Sequence, residues 1–196
     1  MASKEMIVVG GPNGSGKTTY VRERLTESAM PYLSADQIAA DLGVTDEAAG
    51  LVAAGREFLR QIELQLAADE SFLVESTLSG RTFRRVIERA RDNGFEITIV
   101  FVFLDRPDSC VARVEERKRK GGHNVPEADI RRRYPRSFAN FWTLYRPLAD
   151  KWSVVYNAID RLRTVAYGAI DVLSVQDETM FQRFLVIAEM DDDDAD

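Results

Sequence analysis

One cysteine and one histidine stand among 196 residues. The lone Cys110 excludes an internal disulfide and suits a reducing compartment, and its ordinary role is that of a small buried side chain. The lone His123 excludes a cluster of histidine metal ligands and leaves any histidine-containing triad to that single residue. No apolar run approaches the roughly 18 residues of a membrane span. No basic-then-apolar leader opens the chain. A soluble cytoplasmic protein without a membrane partner is the expectation. Positive charge is also scarce: 26 Lys and Arg face 32 Asp and Glu, a net −6, which counts against a nucleic-acid partner. Hydrophobic residues make up 45%, enough for a sizeable core. The length suits one domain of about 100–200 residues, taken as 1–190, with 191–196 as a disordered acidic tail.

What is present is a phosphate-binding loop. Gly11-Pro12-Asn13-Gly14-Ser15-Gly16-Lys17-Thr18 is a complete G-x-x-x-x-G-K-T motif. It follows a short β-branched strand, Met6–Val9, and precedes a helix-forming run, Thr18–Leu25. In such a loop successive backbone N–H groups point at an anion, and the following helix presents its positive end. Gly11, Gly14 and Gly16 allow backbone angles and close approach that a Cβ blocks. Asn13, Ser15 and Thr19 complete the candidate cradle. Lys17 supplies a charge for the β- and γ-phosphates, and the Thr18 hydroxyl is a Mg²⁺ ligand. The implied ligand is ATP with Mg²⁺.

Strand-like and helical runs alternate along the rest. Strands are expected at Met30–Leu33, Ser71–Glu75, Glu96–Leu104 and Ser153–Asn157. Helices are expected at about Ala48–Ala68, Arg81–Asn93, Ser109–Lys120, Glu127–Leu148 and Glu178–Glu189. Residues 161–175 read as a small hairpin around Gly168. The alternation predicts an α/β domain: a five-stranded, mostly parallel sheet flanked by helices. Ligands then lie at the carboxyl ends of the strands.

That rule selects side chains. Asp36, after the second strand, is the candidate base for an acceptor hydroxyl; the competing reading is a helix N-cap. Glu75 closes the third strand, where an unpartnered carboxylate is costly, so it is a candidate to bind the acceptor or to hold Mg²⁺ through water. Thr77 follows it as a substrate candidate. Asp105 reads as a turn or capping acid. Asn157 closes the fifth strand and is a candidate adenine contact or a turn former.

Residues 113–136 carry nine bases and four acids. Arg113 and Arg117 share a helix face, Gly121-Gly122 reads as a hinge, and Pro126 opens the next helix. The segment 113–133 therefore reads as a lid that closes on the nucleotide and brings guanidinium groups to the transferring phosphoryl. In the following helix Arg131 and Arg133 flank an apolar stripe of Ile130, Tyr134, Phe138, Phe141 and Tyr145, while Arg132 lies opposite. His123 is read as a lid-tip residue.

Taken together, the P-loop, Ser34-Ala35-Asp36, Glu75-Ser76-Thr77-Leu78-Ser79 and the run from Gly121-Gly122-His123-Asn124-Val125-Pro126 to Arg131-Arg132-Arg133-Tyr134 resemble the zeta-toxin-like P-loop kinases. The likeness covers about residues 5–160 and is nearest to the small predicted ATPase group of that superfamily. The resemblance implies an adenylate-kinase-like core and transfer of the ATP γ-phosphoryl to a small-molecule hydroxyl, which in zeta toxins belongs to a UDP-activated amino sugar. It assigns the base to Asp36, acceptor binding to Glu75, and lid arginines to Arg113, Arg117 and the Arg131–Arg133 cluster. It also admits an antitoxin partner. The alternatives are a P-loop ATPase switch acting on a protein, or a polynucleotide end kinase.

Overall fold

A computed structural model describes residues 3–24, 30–42, 47–122, 125–158, 161–170 and 172–190. His123, Asn124 and the acidic tail fall outside the described residues. Among the described residues seven strands form one sheet in the order β2-β3-β1-β4-β5-β6-β7. Five of them are parallel: β1 (Glu5–Gly10), β2 (Tyr32–Ser34), β3 (Phe72–Ser76), β4 (Glu96–Phe103) and β5 (Lys151–Asn157). The expected count of five is thus corrected to seven. The hairpin read at 161–175 joins the same sheet as β6 (Leu162–Ala169) and β7 (Val172–Val175), with β6 antiparallel to β5 from Asn157↔Leu162 to Lys151↔Ala169. Its turn lies beyond Ala169, not at Gly168, which sits in β6 because a Cβ there would lie 2.7 Å from Trp152.

The helices are α1 (Lys17–Arg24), α2 (Ala35–Leu42), α3 (Glu47–Ala68), α4 (Arg84–Asp92), α5 (Pro107–Arg119), α6 (Glu127–Asn140) and α7 (Glu178–Glu189). Strand periodicity decides where they pack. Met6 and Val8 of β1, with Ile97, Ile99, Phe101 and Phe103 of β4, join the larger core with residues of α2 to α7. Ile7, Val9, Val100 and Val102 point the other way, where Tyr20 and Val21 of α1 cover them. Both faces are covered in the middle of the sheet, so β1 and β4 read as nearly unbroken apolar runs.

The single long helix expected over Glu127–Leu148 is not one helix. It is α6, then a π-helical turn at Phe141–Tyr145, then a 3₁₀ turn at Arg146–Leu148. Pro147 cannot donate to the helical ladder. Phe141 and Tyr145 are both fully buried, and the Arg146 guanidinium lies 3.9 Å from the Trp142 ring centroid. The expected apolar stripe of Ile130, Tyr134, Phe138, Phe141 and Tyr145 is buried throughout.

Candidate functional site

The P-loop threads between three elements that leave no room for side chains. Gly11, Gly14 and Gly16 have φ of 135°, 78° and 99°, which only glycine adopts without strain. A Cβ on them would lie 2.0 Å from the Val102 carbonyl, 2.4 Å from the Cys110 carbonyl and 2.0 Å from Asn157 Nδ2 respectively. The loop is therefore clamped by β4, α5 and β5. Asn157 is a strut: its Nδ2 donates to the Ser15 carbonyl at 2.8 Å, and the side chain is buried. Lys17 is 6% exposed and donates to the Pro12 carbonyl at 3.0 Å.

A cleft of about 680 Å³ opens over the loop. Its floor is Asn13, Gly14, Gly16, Lys17, Thr18 and Thr19; Asp36 enters from the start of α2, just past β2, and Glu75 from the end of β3; Arg113 and Arg117 enter from α5 and Lys120 from the residue that follows it. Gly11 and Ser15 belong to the loop behind this floor. Along with Val114, Gly122, Asn157 and Ala158, the wall takes in Arg22 and Glu23 of α1, Glu116 of α5, and Arg161 and Leu162. These last five were not singled out from the sequence. Two of them, Arg22 and Glu23, lie in the first turns after the P-loop Lys-Thr, the signal that was there to be read.

Glu75 is the hub of the acidic side. Thr18 Oγ1 donates to Glu75 Oε2 at 3.0 Å, Tyr32 Oη donates to the same oxygen at 2.6 Å, and Lys17 Nζ is 3.9 Å from Oε1. Desolvation, then the Glu75 charge, push the Tyr32 phenol well above the usual tyrosine range, so it stays a proton donor in this contact. Asp36 sits in the first turn of α2 and faces Arg117 Nη1 at 3.6 Å. Arg117 Nε and Nη2, Ser15 Oγ and Asn13 Oδ1 are buried without a hydrogen-bond partner among the described residues. Buried polar atoms of that kind are expensive unless a ligand satisfies them. Unpaired guanidinium and hydroxyl donors beside a glycine loop fit an anion, and the Thr18 hydroxyl beside the Glu75 carboxylate is a hard-oxygen set that fits Mg²⁺.

Two expected site residues lie elsewhere. The Thr77 hydroxyl is hydrogen-bonded with Ser79 Oγ at 2.9 Å and is not on the cleft wall. Arg133 donates to Asp129 at 3.1 Å, Arg132 reaches the same carboxylate at 2.6 Å, and Arg131 binds Asp108 at 2.7 Å. Arg131, Arg132 and Arg133 are thus spent on structural ion pairs, and of the expected lid arginines the cleft takes Arg113 and Arg117 of α5. The Gly121-Gly122 pair ends α5 as a helix stop. The Gly121 N–H donates to the Lys118 carbonyl at 2.9 Å and the Gly122 N–H to the Arg117 carbonyl at 3.0 Å, the paired bonds of a Schellman motif. Asp105 accepts from Arg183 and from Tyr156 Oη, tying α7 to the sheet.

The comparisons agree with this architecture. An uncharacterized protein of Haemophilus influenzae is 28% identical over 124 residues, covering 63% of this chain and 88% of that protein. A chain of the AvrRxo1-ORF1:AvrRxo1-ORF2 complex with sulphate ions superposes with TM-score 0.75 at 14% identity over 93% of this chain; this chain spans 63% of its length. The same complex with ATP gives 0.73 at 16% identity, over 93% of this chain and 63% of that one. A chain of the PezAT chromosomal toxin-antitoxin system of Streptococcus pneumoniae gives 0.63 at 12% identity, over 97% of this chain and 86% of that one. Among the described residues no helix is long and apolar enough to cross a membrane. Residues 6–136, more than half of the chain, match the family model described as an AAA domain, and the chain belongs to that family, with a fold shared by the AvrRxo1 and PezAT chains.

Proposed function

We propose that this protein transfers the γ-phosphoryl of ATP to a hydroxyl of a small molecule. The observation that carries the reading is the facing of Asp36 and the P-loop across one cleft, with the partly unsatisfied Arg117 between them. The P-loop amides and Lys17 hold the β- and γ-phosphates. Arg113 and Arg117 neutralise charge on the transferring group and its leaving oxygen. Asp36 takes the acceptor proton. Thr18, with Glu75 through water, would hold Mg²⁺, which supplies charge neutralisation at the bridging phosphate oxygens. The 113–133 segment acts as the lid, with α5 as its working part.

Residues 1–190 serve as one kinase domain in this reading, working in the cytoplasm. The ATP in the AvrRxo1 complex supports the nucleotide assignment. The toxin–antitoxin setting of PezAT supports a protein antitoxin as a partner, and the likeness to zeta toxins makes a UDP-activated amino sugar the first acceptor to try.

The test is product formation from Mg·ATP and a panel of hydroxyl acceptors, followed by mass spectrometry. Asp36→Asn is expected to slow transfer by about 10²–10⁴-fold, the usual worth of a general base, while ATP binding persists. Turnover that ignores every acceptor and is untouched by Asp36→Asn identifies an ATPase switch instead.

A further inference from the structure

Tyr32 is absent from the cleft wall, yet it touches the residue on which the metal side of the cleft turns. Its hydroxyl and that of Thr18 share one oxygen of Glu75, at 2.6 Å and 3.0 Å. The other oxygen looks toward Lys17 Nζ at 3.9 Å, beyond hydrogen-bond reach. The Glu75 side chain is 9% exposed, so its protein partners set its direction, while Tyr32 is itself 38% exposed.

The meeting follows from strand parity. Leu33 packs in the larger core with Val74, so its neighbours Tyr32 and Ser34 turn to the opposite face of the sheet. Glu75 is offset by one from Val74 and turns the same way, onto the face that α1 covers. The β2–β3 register sets Tyr32 beside Leu73 and Ser34 beside Glu75. A phenol is long enough to cross that offset.

We infer that Tyr32 is a positioning residue that holds the Glu75 carboxylate against Thr18, so that the two oxygens form a preset pair for the divalent cation accompanying ATP. This rests on the reading of the cleft as a Mg·ATP site. Partners of this kind, one step removed from a metal, typically change metal affinity by about 10–100-fold.

The experiment uses the full chain with Mn²⁺ as an electron-paramagnetic-resonance probe, titrated into protein with ATP, alongside ATP binding in EDTA. Tyr32→Phe is expected to weaken Mn²⁺ uptake by the protein–ATP complex about tenfold and to leave metal-free ATP binding unchanged. Glu75→Gln is expected to weaken uptake as well, and Tyr32→Phe added to Glu75→Gln to weaken it no further. Equal losses with and without metal, fully additive losses, or an unaffected Tyr32→Phe each overturn the role of Tyr32 while leaving the Mg·ATP site standing. A wild-type protein–ATP complex that takes up no Mn²⁺ overturns both.

Discussion

Cys110 shows how opposing effects are decided at one side chain. Its thiol is fully buried, and burial pushes it up to about 12 from an ordinary 9.0, against the opposing pull of Lys17 and Arg113. Desolvation wins because the thiolate has no hydrogen-bonded cation, only charges at a distance. The folded chain keeps the proton and the unfolded chain releases it first. The stabilisation is therefore whole below pH 9.0 and falls away as the pH climbs toward about 12. At pH 8 the native protein is expected to resist alkylation by iodoacetamide and to react at once in urea; rapid labelling of the native chain would show a reachable thiol. The cleft residues are more legible in the chain than this one is. Lys17 and Thr18 are given by a local motif whose geometry travels with it. Asp36 and Glu75 are found because strand ends in a parallel sheet face the ligand. Tyr32 escapes that rule: its role depends on which strand lies next to β2, and the order β2-β3-β1 is not written in any local pattern.

At the scale of elements, the end of α5 decides how its arginines are presented. Gly121 has φ of 84°, and its N–H and that of Gly122 close the last turn. A Cβ on Gly122 would lie 2.6 Å from Arg117 Cγ, so the stop packs directly against the guanidinium stem that reaches Asp36. Gly121→Ala forces an L side chain into the left-handed region, at about 1–2 kcal/mol. Urea denaturation is expected to show that loss, with a raised KM for ATP as the Arg117 turn frays; unchanged stability would mean that the stop is not held by this conformation. The glycine pair was visible in the sequence, but its meaning was not, since a helix stop and a hinge use the same residues. The same limit applies to α6. Periodicity placed its buried stripe correctly, yet it did not tell which acids lie beside Arg131, Arg132 and Arg133. Asp129 lies within the same helix and Asp108 on α5, and those neighbours take the arginines away from the cleft. The π turn at Phe141–Tyr145 was hidden for a related reason: Phe141 and Tyr145 are four apart and share a face in an ordinary α-helix as well, so the apolar period does not separate the two.

For the whole molecule, charge is sorted against its average. The chain carries −6 overall, while six basic side chains and four acidic ones line the cleft. An acidic body with a locally basic cleft repels polyanions in general and still admits a compact one with its cation. Much of that cleft is preformed, since the P-loop is clamped by β4, α5 and β5 and Lys17 is already buried. Binding then costs little reordering, and it acts on the folded state alone. A ligand at 100 times its Kd stabilises such a protein by about 2.7 kcal/mol, or about 5–10 °C in Tm for a chain of this size. Mg·ATP is expected to raise the melting temperature by that amount in a thermal shift measurement, and Lys17→Ala to abolish the rise. The variant removes the positive charge but leaves the glycine frame, so its own melting temperature without nucleotide separates lost binding from lost folding. A wild-type melting curve that does not move at millimolar Mg·ATP would mean that the unsatisfied donors of Arg117 and Ser15 serve some other anion.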